Sequence, residues 1–157
     1  MKPNDNRSTL IDIMYTELRS GKTVQLLASG WSMFPSVWKG ARLELKYLPI
    51  DQLHFGDLVA FKREQRAIMH RIVEIATENG DLQIRTRGDS NLEHDEWFND
   101  ELYLGKVVTI NNKSNHKALN PSRKILYRRN ELLKNVLIVL LFPLRFTKRT
   151  INSFKKQ

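Results

Sequence analysis

Between Thr23 and Ile110 the chain is cut by turn signals into short segments, none with the length or the spacing of a packed helix. Thr23–Ala28 is the first extended segment. Arg42–Leu48 alternates cleanly, with Leu43, Leu45 and Tyr47 set against Arg42, Glu44 and Lys46, the period of a strand with one buried face. Gly56-Asp57 opens Leu58–Lys62, and Ala67–Ala76 follows a polar turn. Asn79-Gly80-Asp81 favours a tight hairpin leading into Leu82–Thr86, and Leu102–Ile110 closes the series. The pattern predicts a mainly β fold, a compact antiparallel domain over residues 23–110.

The flanks read differently. Leu10, Ile11, Met14 and Leu18 recur at helical spacing, so a short amphipathic N-terminal helix over residues 9–19, within a segment 1–22, is expected. Ser8 or Thr9 would be its N-cap, with Gly21 beyond its end. Residues 111–123 are polar and turn-rich, which predicts a linker, and residues 124–157 predict a basic amphipathic C-terminal helix.

The net charge of +9 suggests nucleic-acid binding until it is divided along the chain. Residues 1–112 hold 14 Lys/Arg and 16 Asp/Glu, net −2, whereas residues 113–157 hold 12 Lys/Arg and one acid, Glu131, net +11. A uniformly basic nucleic-acid domain is therefore not expected, and no specific nucleic-acid partner is assigned. With no cysteine in the chain, disulfides, thiolate metal sites and a cysteine nucleophile are excluded. The remaining His54, His94 and His116 lack ligand spacing, so neither a metal nor a cofactor is expected. No export signal is read at the polar start MKPNDNRST. The longest apolar run, Val136 to Phe142, is seven residues and stops at Pro143, far short of a membrane span.

The chemistry-bearing segment is Ser29-Gly30-Trp31-Ser32-Met33-Phe34-Pro35, directly after a strand. A serine in a turn bounded by Gly30 and Pro35 can present its hydroxyl on a rigid elbow, with main-chain N–H groups facing the same point. A turn serine with no chemistry has the same local look. Nucleophilic attack needs a base, and His70 lies in the apolar strand Ile68-Met69-His70-Arg71-Ile72-Val73. A histidine base needs an acceptor on its other nitrogen, and Asp89 and Asp95 both lie in the next polar loop.

Taken in order, G-x-S-M-x-P around Ser32, G-D-L-V-A-F before His70, R-G-D-S-N around Gly88 and Asp89, and the closing Gly105-Lys106-Val107-Val108 resemble the type I signal peptidase family. The resemblance runs from about residue 23 to 110 and implies the signal-peptidase/LexA-like β fold. Most bacterial members carry lysine where His70 stands, and histidine resembles the endoplasmic-reticulum and archaeal type. That type implies Ser32 as nucleophile and His70 as base, with Asp95, six residues after Asp89, the better match for the acid orienting the histidine. Asp89 is the alternative, and otherwise an acid holding the loop. Met33 matches the motif's methionine and is expected to pack beneath the site. The family's side-chain oxyanion donor can be a serine two residues before the nucleophile. Gly30 stands there, which leaves the second donor open.

The resemblance implies a leader or signal peptide as substrate. In place of the family's N-terminal membrane helix, only the short amphipathic helix precedes the serine motif. The basic, partly apolar segment 124–157 suits the surface of an anionic membrane, so a peripheral membrane association, on the cytoplasmic face, is expected. Two other readings share parts of this pattern. One is a LexA-like autopeptidase, for which lysine at position 70 and a longer segment before the first strand would be expected. The other is a silent scaffold whose tail binds membrane or nucleic acid.

Overall fold

The computed structural model describes residues 5–112, with side chains from residue 10 onward. The chain runs α1 (Asp5–Arg19), β1 (Val24–Leu27), β2 (Arg42–Lys46), a single 3-10 turn (Ile50–Gln52), β3 (Leu58–Arg63), β4 (Arg66–Glu78), β5 (Asp81–Arg87) and β6 (Tyr103–Asn111). The mainly β, antiparallel architecture agrees with the strand pattern. The expected linker 111–123, beyond Asn111 and Asn112, and the basic helix 124–157 lie outside the described residues.

The six strands form one antiparallel sheet in the order β1-β2-β6-β3-β4-β5. The alternation read in β2 is real: Leu43 and Leu45 are buried while Arg42 and Lys46 face solvent. In β3 the residues Leu58 to Phe61 are all buried, because this central strand is covered on both faces. Leu58 and Ala60 pack with Ile11, Met14 and Leu18 of α1, and Val59 and Phe61 pack on the opposite face with Ile72, Ile84 and Phe98. The Asn79-Gly80 turn has positive φ at both residues, as the tight hairpin between β4 and β5 requires.

Helix α1 begins at Asp5, four residues before the expected start, so Ser8 and Thr9 lie inside it rather than capping it. Its C-terminus is where the glycine signal put it. Gly21, at φ +85°, donates to the Leu18 carbonyl, and Lys22 donates to that of Glu17, which satisfies two of the helix's last carbonyls. The helix is then tied to the sheet by Arg19. Its guanidinium donates to Tyr47 Oη at 2.7 Å and to Asp100 Oδ2 at 2.8 Å. Leu18, fully buried, carries the apolar half of the same attachment. Leu18→Ala is expected to cost about 2–5 kcal/mol, read as a lower denaturation midpoint with unchanged slope.

Candidate active site

Consecutive residues of a strand point to opposite faces of the sheet, and β4 uses this to hold two basic side chains on either side. His70 is buried on the face of Phe61 and Phe98, with its ring centroid 6.2 Å from that of Phe61. Its Nδ1 lies 2.6 Å from Asp95 Oδ2. Thr86 of β5 donates to the same oxygen at 2.7 Å, and Arg63, at the end of β3, donates to the other, Oδ1. The Asp95 main chain is fixed too: its N–H donates to the Thr86 carbonyl, and Arg85 Nε donates to the Asp95 carbonyl at 3.2 Å. Burial alone would raise the Asp95 carboxyl, but the hydrogen bonds from His70, Thr86 and Arg63 outweigh it. The group is held at about 2, below the ordinary 3.8, and is a carboxylate at neutral pH.

Arg71 faces the other way. It grips Asp89 with two hydrogen bonds, Nε to Oδ1 at 2.9 Å and a terminal nitrogen to Oδ2 at 2.8 Å, and its second terminal nitrogen donates to the Gly56 carbonyl. Ser36 donates to Asp89 Oδ2 as well. Of the two acids weighed from sequence, Asp95 therefore contacts His70, while Asp89 joins Arg71 to the serine segment.

That segment, residues 31–37, is a succession of turns closed by Phe34 N–H to the Trp31 carbonyl and Val37 N–H to the Met33 carbonyl. Met33 and Val37 are buried beneath it in the core shared with α1, and Pro35 follows a cis peptide bond. The Ser32 carbonyl accepts from Ser90 N–H at 2.8 Å, and Ser90 Oγ lies 2.8 Å from the Trp31 carbonyl. Gly88 explains why a glycine opens this loop. A Cβ there would come within 2.8 Å of the Ser32 carbonyl and of Asn91 Nδ2. The β4–β5 pairing ends with Arg71 opposite Arg87, the residues next in sequence to His70 and to Gly88. Gly30 is open: a Cβ there would meet only the Ser32 nitrogen, at 3.9 Å.

Sequence reading missed Arg63, Thr86, Arg71 and Ser36. Arg71 had a signal, since a charged residue following His70 in an apolar strand must face away from it and find a partner. Arg63 and Thr86 had none, because their approach to Asp95 depends on strand register. Trp38 and Trp97 are both substantially exposed, whereas Tyr103 is fully buried. Trp31, Phe34 and Trp38 form an edge-to-face cluster around the serine turn, with centroids 5.0–6.4 Å apart. Among the described residues no group of three His, Asp or Glu could hold a metal ion, and no helix is long and apolar enough to cross a membrane.

The chain is similar to proteins named signal peptidase complex catalytic subunit SEC11C from Homo sapiens and Mus musculus, at 35% identity over 75 residues. The match covers 46% of this chain and 38% of those proteins, so the chain spans well under half of the curated relatives it matches. No family model matches the chain. The likeness extends to a signal peptidase catalytic subunit, at a distance and in part.

Two substitutions separate a required glycine from an optional one. Gly88→Ala is expected to cost about 1–3 kcal/mol, because either the loop or the Ser32 carbonyl must move. Gly30→Ala should stay within about 0.5 kcal/mol of the parent; thermal unfolding of both variants checks the contrast. A second expectation concerns pH. The Asp95 carboxyl is depressed in the folded chain, so its contribution is complete above the ordinary 3.8 and is lost as pH falls through about 2. Asp95→Asn should therefore lose about 2 kcal/mol at neutral pH, with the gap to the parent closing below about pH 4, as urea denaturation at a series of pH values would show.

Proposed function

We propose that the chain is a serine endopeptidase of signal peptidase type that cleaves a leader or signal peptide, with Ser32 as nucleophile, His70 as general base and Asp95 as the acid that orients it. One observation carries this reading: a buried histidine in contact with a held carboxylate, Asp95, whose own loop bonds the serine turn through Ser90 N–H to the Ser32 carbonyl. The partial likeness to a signal peptidase catalytic subunit supports the same class of substrate.

The reaction is acyl transfer to water. Ser32 Oγ attacks the scissile carbonyl while His70 Nε2 takes its proton, and Nδ1–H donates to Asp95 throughout. The carbonyl oxygen becomes an oxyanion, which accepts from the Ser32 main-chain N–H. Collapse of the tetrahedral intermediate expels the amine, which receives the proton from His70, and the N-terminal part of the peptide remains as an ester on Ser32. Water, deprotonated by His70, then hydrolyses the ester and restores the hydroxyl. Asp95 stays ionised and stabilises the imidazolium formed in each half-reaction. Arg71, Asp89 and Ser36 hold the serine turn and do not touch substrate. Gly30 and Pro35 bound the turn, with Met33 as its buried footing.

Trp31 and Trp38 give the serine turn an exposed apolar rim, which suits an apolar peptide segment arriving beside the scissile bond. Residues 124–157, rich in Lys and Arg, supply the charge for a peripheral position on an anionic membrane, on the cytoplasmic face. No cofactor takes part in these steps.

The test is cleavage of a panel of leader-like peptides read by mass spectrometry, with and without anionic vesicles. One defined bond should be cut, faster on vesicles, and Ser32→Ala and His70→Ala should each lose about 10³-fold or more. Absence of cleavage in every arm would overturn the peptidase reading and favour a binding role for the tail.

A further inference from the structure

We propose that Arg63 is a positioning residue for the His70–Asp95 pair: from the end of β3 it takes the outer oxygen of Asp95, turns the inner one toward His70, and shares the carboxylate's charge with the histidine. The inference rests on the peptidase reading above and deepens it.

The carboxylate of Asp95 has two oxygens with different neighbours. Oδ2 receives His70 and Thr86, and Oδ1 receives Arg63. Without a donor on Oδ1 the carboxylate could rotate about its Cβ–Cγ bond and present either oxygen to the imidazole. Arg63 is itself steered: its guanidinium lies 5.3 Å from the centroid of the Phe61 ring, which stacks on Phe98 at 4.4 Å and tilts toward His70. The Asp95 side chain is 8% exposed and that of Arg63 46%, so a buried carboxylate meets a half-exposed cation. Half-exposed ion pairs add little to stability. The consequence is therefore expected in the chemistry and not in the fold.

Charge sharing has a definite sign. Arg63 and a protonated His70 compete for one carboxylate. Removing the guanidinium leaves more of the Asp95 charge to the imidazolium, which sets the sign of the change expected in a variant. Other charged groups stand on the neighbouring elements. Arg85 of β5 reaches the Asp95 main-chain carbonyl and also meets Glu74 of β4, which in turn meets His94; Glu93 and Glu96 flank Asp95 and are exposed. Lys62, the neighbour of Arg63, pairs with Asp12 of α1 instead.

The experiment compares the full-length chain with Arg63→Gln and Arg63→Lys, following peptide cleavage across pH. Arg63→Gln is expected to lower kcat about tenfold and to move the acid limb of kcat/KM upward by about half a pH unit. Arg63→Lys, which keeps the charge without the planar fork, should restore the limb and recover kcat only in part. Superimposable profiles for the parent and Arg63→Gln would overturn the proposal. So would equal loss in both variants with an unmoved limb, which would make Arg63 merely structural.

A second reading needs no catalysis: the far-downfield NMR resonance of the proton on His70 Nδ1 in the protonated ring. It should persist to higher pH in Arg63→Gln than in the parent. If the parent cuts no peptide, the peptidase reading fails while this resonance still decides the role of Arg63. An identical pH course in parent and variant overturns it.

Discussion

The bidentate pair between Arg71 and Asp89 is the contact on which the arrangement of the site depends. Asp89 is buried and Arg71 largely so, and together with Ser36 and the Gly56 carbonyl they join four segments that are distant in sequence. Removing one partner of such a pair strands a charge in the interior, at a cost of about 3–5 kcal/mol. The pair also sets the position of the 88–95 loop. Once Asp89 is fixed on one face of β4, the six residues to Asp95 carry the chain across to the other face, where His70 waits. Two acids of one loop thus grip two consecutive basic residues on opposite sides of one strand.

This division gives the two carboxylates separate work. Asp89 faces a permanent cation and fastens the serine turn. Asp95 faces the His70 imidazole through one oxygen, which Thr86 also bonds, and its other oxygen is held by Arg63. The sheet beneath is buried on both faces, with α1 covering one and the Phe61–Phe98 stack the other. A rigid support of this kind is what a site built on a turn and a loop requires, since neither could hold its geometry alone.

Much of the frame was legible in the order of residues. Leu43 and Leu45 announced a half-buried strand by alternation, Asn79-Gly80 a hairpin, and Gly21 a helix end, because each depends on local sterics. The start of α1 was not, since two further hydroxyl residues offered a cap inside a helix that begins upstream. The place of β6 between β2 and β3 was also hidden, because pairing between distant strands leaves no local mark. The site shows the same boundary. The serine turn, the histidine and both acids were visible as residue types in order, yet the spacing of Asp89 and Asp95 was compatible with either one reaching His70. Only the path of the loop after β5 separates them, while the β4–β5 register brings in Thr86 and the β3–β4 register brings in Arg63.

The proposed chemistry is attack by Ser32 with His70 taking its proton. It is tested most directly by a crystal structure of the chain bound to a leader-like peptide ending in an aldehyde. The expected result is a tetrahedral adduct on Ser32 Oγ, the new oxygen facing the Ser32 N–H, and His70 within hydrogen-bonding reach of the adduct while still bonded to Asp95. An adduct on another residue, or one on Ser32 with His70 turned away, would contradict it.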